Sequence, residues 1–76
     1  MKRVILVIET PGTIRIIGYD YDKAEPLDHI IDLKRSPDPL GDLEEIVYRL
    51  ENRGFDTRIL KRFIKRKKKH GLWGRL

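Results

Sequence analysis

The chain has 76 residues, no Cys, and 17 Lys/Arg against 12 Asp/Glu, a net charge of +5. That length admits one domain with a marginal core, and a chain without Cys has neither a disulfide framework nor a thiolate metal site, which points to an intracellular setting. The longest apolar run, Val4 to Ile8, is too short to cross a bilayer and nothing has the order of a signal peptide, so a soluble, cytoplasmic protein without a membrane span is expected.

The charge is unevenly placed. Residues 1–54 carry eight Lys/Arg and eleven Asp/Glu, whereas residues 55–76 carry nine Lys/Arg against Asp56 alone. The predicted organisation is a folded body over 1–54 and a basic C-terminal helix or tail over 55–76, an arrangement suited to an anionic partner. Ten Ile, no Gln and a single Asn follow the hyperthermophile trend and suggest an archaeal or bacterial thermophile.

Arg3 to Glu9 is β-branched and nearly continuous in apolar residues, which predicts a central strand covered on both faces. Thr10-Pro11-Gly12-Thr13 has the chemistry of a type II turn, and Ile14 to Tyr21 resumes the β pattern to complete a hairpin. On that second arm Arg15, Ile17, Tyr19 and Tyr21 share one face, a stripe that serves either as core or as contact surface. A polar connection, Asp22 to Leu27, leads to a short third strand over His29 to Lys34. Asp38 is placed to cap a helix that begins at Pro39 and buries Leu43, Ile46, Val47 and Leu50, with Gly54 at its C′ position. Phe55 to Leu60 fits either a returning strand or the start of a second helix. Asp56 as cap and the common face of Ile59, Leu60, Phe63 and Ile64 favour the helix. The predicted fold is α+β: a three-stranded antiparallel meander packed by one helix, followed by a basic amphipathic segment.

Thr57-Arg58-Ile59-Leu60-Lys61-Arg62-Phe63-Ile64 resembles the peptide by which partners dock on the DNA sliding clamp, proliferating cell nuclear antigen. Leu60 stands at the aliphatic position of that motif and Phe63 with Ile64 at its bulky pair. Thr57 takes the place of the usual Gln, and Ile64 replaces the second aromatic. The resemblance implies that Thr57, Leu60, Phe63 and Ile64 bind the clamp, with the neighbouring cations steering association. It also implies a kinship with small archaeal clamp-binding regulators, including inhibitors that exclude replication enzymes from the clamp.

A second reading uses the cations alone. Lys61, Arg62, Lys65, Arg66, Lys67, Lys68 and Lys69, with Arg58 and Arg75 nearby, suffice for nonspecific contact with DNA or RNA phosphates, and Trp73, Tyr19 and Tyr21 offer stacking faces. A third places Ile59, Leu60, Phe63, Ile64, Leu72 and Trp73 at a membrane interface. Asp20 and Asp22 form an acidic loop able to pair with the basic arm.

Catalysis finds little material. Ser36 is the only Ser and His29 and His70 the only His, so no nucleophile and base can be nominated. Glu9 stands where a nuclease fold holds a metal-binding carboxylate, but the chain has no room for that fold's remaining strands. Binding without catalysis, cofactor or metal is the expectation.

Overall fold

β-Branched residues dominate the first third of the chain and fold it into paired strands. The computed structural model describes residues 1–70, apart from the His70 side chain. It contains strands β1 (Lys2–Glu9), β2 (Thr13–Asp20) and β3 (Glu25–Asp32), helix α1 (Pro39–Asn52), a two-residue strand β4 (Phe55–Asp56) and helix α2 (Arg58–His70). The fold is α+β. Its sheet has four strands in the order β3-β2-β1-β4 and is mixed, because β4 lies parallel to β1.

The expected three-stranded meander gains a parallel fourth strand, and a second helix follows the one expected to pack across it. Phe55 and Asp56 pair with Lys2 and Arg3, and α2 begins two residues later, so both alternatives for Phe55 to Leu60 are realised in succession. The third strand also begins earlier than predicted, at Glu25, and ends at Asp32. It takes in Pro26, which an edge strand tolerates because one side of its backbone has no ladder to complete.

The hairpin turn differs too. Among the described residues positive φ occurs at Ala24 and Gly54, not at Gly12, so the turn is not type II. Thr10 supplies the closure: its N–H donates to the Thr13 carbonyl at 2.9 Å, and its hydroxyl accepts the Thr13 N–H at 3.0 Å. At α1 the sequence signals hold. Asp38 accepts the Gly41 N–H at 3.1 Å, Pro39 opens the helix, and Gly54 at φ 87° leaves it.

One irregularity decides which β1 residues are buried. The register of β1 on β2 shifts between Val4 and Leu6, leaving Ile5 as a bulge. Val4 and Val7 therefore point to the helices, while Leu6 and Ile8 point away from them and stand 48% and 36% exposed. β1 has a neighbour on each edge but a cover on one face, not on both as its composition predicts. The single core joins Val4, Ile14, Ile16 and Ile31 of the sheet, Leu43, Val47 and Leu50 of α1, Phe55 of β4, and Leu60, Phe63 and Ile64 of α2. Residues 55–70 are thus part of the folded body.

Gly18 faces Val4 beside this bulge, and a Cβ placed on it would lie 2.7 Å from the Arg3 carbonyl oxygen. Gly18→Ala is expected to destabilise the fold by about 1–3 kcal/mol, since the obstruction is backbone. A lower urea midpoint with an unchanged slope checks this.

Candidate nucleic-acid interface

The sequence of α2 places Leu60, Phe63, Ile64 and Lys67 at i, i+3, i+4 and i+7, one face of a helix. Leu60, Phe63 and Ile64 are buried at 0%, 5% and 6% exposure. Thr57 is buried as well, its hydroxyl donating to Glu51 Oε2 at 2.8 Å. The four residues matched to the clamp-docking motif therefore hold α2 on the sheet and α1. In this fold none of the four stands at the surface. Ile59, grouped with them by spacing, lies off this face and is 40% exposed.

The basic run divides by helical phase. Lys67 continues the inward face: its side chain is 12% exposed, its Nζ meets Glu9 at 2.6 Å, and it lies over the Phe63 ring at 5.6 Å. Lys61 and Lys68 turn toward α1, where they pair with Glu51 and Glu44, each at 2.5 Å. Arg58 pairs with Asp56 at 2.7 Å. Arg62, Lys65, Arg66 and Lys69 are exposed and have no hydrogen bond or ion pair among the described residues. At 3.6 residues per turn these four fall within about 100° of the helix circumference, and Arg58 lies in the same arc, extending the stripe to roughly 16 Å along the axis.

The four carboxylates that neutralise the other cations come from three elements: Glu9 from β1, Glu44 and Glu51 from α1, and Asp56 from β4. Asp20 and Asp22 take no part. Asp20 accepts the N–H groups of Asp22 and Lys23, and Asp22 pairs with the N-terminal ammonium. The Lys61 ammonium, followed by the Thr57 hydroxyl, holds the Glu51 carboxyl below its usual range.

Where α2 starts, Arg58, Ile59 and Arg62 meet Arg3, Ile5 and Asp56 around an open concavity of about 400 Å³. Sequence reasoning placed Arg3 in a strand and gave it no role. Its proximity follows from the parallel pairing of Arg3 with Asp56, a long-range contact without a local signal.

The remaining sequence expectations sort simply. Among the described residues no group of three or more His, Cys, Asp or Glu is placed to hold a metal ion, and Glu9 is engaged by Lys67. Ser36 donates to Asp42. Among the described residues no helix is long and apolar enough to cross a membrane. Leu72, Trp73 and Arg75 lie outside the described residues.

Two outcomes test this arrangement. Leu60→Ala is expected to cost about 2–5 kcal/mol of stability as a core truncation, read in urea unfolding. A loss within the range of exposed sites, about 0.5 kcal/mol or less, would remove Leu60 from the core. The second concerns pH. Three hydrogen bonds from the Arg58 guanidinium and one from its backbone N–H hold Asp56 at about 2 against an ordinary 3.8. A depressed carboxylate stabilises the fold above its unfolded value and loses that contribution as pH falls toward the folded one. Stability should therefore decline between about pH 4 and about pH 2, and Asp56→Asn should flatten part of that decline. No protein-family model, no curated protein and no solved structure matches the chain, and the geometry itself carries the functional reading.

Proposed function

We propose that the protein binds the phosphate backbone of DNA or RNA through the outer stripe of α2, without catalysis. One observation carries this reading: within a helix whose other cations are matched to carboxylates, Arg62, Lys65, Arg66 and Lys69 are left together on the solvent side. Uncompensated cations in one arc set up a local positive potential, and a polyanion gains by releasing its condensed counterions to them. Contact with phosphates needs no base recognition, which suits a stripe built from Lys and Arg.

The helix is also presented rigidly. Its underside is locked by Leu60, Phe63 and Ile64, and its flanks by the pairs to Glu44, Glu51 and Glu9. The stripe is therefore preorganised, unlike a solvated tail, and less side-chain and backbone entropy is lost on binding. A sliding-clamp ligand needs the opposite arrangement, because Leu60, Phe63 and Ile64 would have to leave the core to fill a partner's pocket.

Titration of a labelled duplex and a labelled single strand between about 50 and 200 mM salt tests the reading. The wild type should bind both with a logarithmic salt slope of about −3 to −4, in line with four phosphate contacts at about −0.9 each for duplex. Changing Arg62, Lys65, Arg66 and Lys69 together to Gln should remove most of the slope and the affinity. Changing Lys61 and Lys68 to Gln should have a much smaller effect, although the net charge falls in both variants. Equal losses per charge removed would reduce the stripe to bulk electrostatics, and unchanged binding by the fourfold variant would overturn it.

A further inference from the structure

Both helices pack on one face of the sheet, and the opposite face has no cover among the described residues. The register makes it a contiguous surface: Leu6 lies beside Ile17, and Ile8 beside Arg15, which in turn faces Ile30. Leu6, Ile8 and Ile30 are 48%, 36% and 58% exposed, and Tyr21, past the far end of β2, is 48% exposed. Tyr19 meets Tyr21 edge to face at 4.9 Å. A single exposed aliphatic is ordinary, but Leu6, Ile8 and Ile17 together on a bare sheet face, with Ile30 beyond the Arg15–Asp28 pair, are the kind of surface that marks an interaction site on so small a chain.

We infer that this face binds a second copy of the chain, sheet against sheet. Charge favours that occupant. The central ions of the face cancel within each copy, since Arg15 donates two hydrogen bonds to Asp28 at 2.9 and 2.5 Å, and the unpaired cations of α2 belong to a helix packed on the covered side, with Arg62 alone of them reaching the concavity that Arg3 and Ile5 line at the β4 edge. Two copies can meet here without bringing their basic stripes together. The area stands near the lower limit for such an interface. Three strands of eight residues, at about 3.4 Å per residue and about 4.8 Å apart, span roughly 400 Å² in plan. Side-chain relief raises the accessible area toward the roughly 500 Å² per partner at which specific interfaces begin.

Edge pairing is the less suitable route to the same dimer. Of the two edge strands, β3 carries Pro26, which lacks a donor, and the charged Asp28 and Asp32, and β4 is only two residues long, features that discourage strand addition. A face-to-face dimer is isologous, with each Leu6 and Ile30 used once on either side of a two-fold axis. It places the two α2 stripes on opposite outer surfaces. The dimer itself does not depend on phosphate binding by α2, whereas bridging of two polyanions by the dimer rests on that reading.

Sedimentation equilibrium of nuclease-treated protein in high salt tests the dimer apart from any nucleic acid, because polyanion bridging is removed and apolar association is not. The wild type should pass from monomer to dimer as concentration rises. Leu6→Glu and Ile30→Glu, both at exposed positions, should each raise the dimer dissociation constant by about tenfold or more, with unchanged circular dichroism showing that the fold survives. A wild type that stays monomeric up to millimolar concentration overturns the inference, and so does a dimer that neither substitution weakens. If the wild type is monomeric and the two variants instead lose single-strand binding, the face belongs to stacked bases and the dimer is again refuted.

Discussion

The docking of α2 through Leu60, Phe63 and Ile64 is the constraint on which the other features depend. Those three side chains complete a core that the sheet and α1 would leave open, because a chain this short buries its apolar surface in one layer of helices on one side of one sheet. Docking also fixes the rotation of α2 about its axis. Once Leu60 points inward, 3.6 residues per turn dictate that Lys67 points inward too, that Lys61 and Lys68 flank α1, and that Arg62, Lys65, Arg66 and Lys69 face water. The burial that places the clamp-like triad in the core also creates the cationic stripe.

Carboxylates sharpen the pattern. Glu44 and Glu51 lie seven residues apart, two turns along α1, and meet Lys68 and Lys61, also seven apart on α2. The two helices are thereby paired along their length by ions as well as by apolar side chains. Each exposed pair contributes little stability alone, and its larger consequence is directional. Neutralising the flanks confines the uncompensated charge to the outer arc, so the field of the helix points away from the body.

Sequence patterns made the helices more legible than the sheet. Asp38, Pro39 and Gly54 mark the ends of α1 through local chemistry, and the positions of Leu60, Phe63 and Ile64 fit a helix whatever they pack against. What local pattern cannot say is whether such a face meets the chain's own core or a partner, since both demand the same spacing. The sheet failed differently. Val4 to Ile8 is apolar at every position, so alternation is hidden and the bulge at Ile5, which sends Leu6 and Ile8 outward, leaves no trace in composition. β4 is two residues long and is held by pairing with the start of β1, a contact made across more than fifty residues of sequence.

The same bulge links the two surfaces. If β1 alternated without it, Val4, Leu6 and Ile8 would all face the helices and the outer side of the strand would present fewer aliphatic residues. Shifting the phase divides one apolar run between core and exterior: Val4 and Val7 go to the helices, Leu6 and Ile8 to the bare face. Gly18 admits the close approach that this register requires, since the Arg3 carbonyl occupies the space a side chain would take. Arg3 is in turn carried to the concavity beside Arg58 and Arg62. The local geometry around Gly18 and Ile5 therefore sets what the sheet leaves uncovered, while the pairing of Arg3 with Asp56 sets which strand cation joins the basic helix.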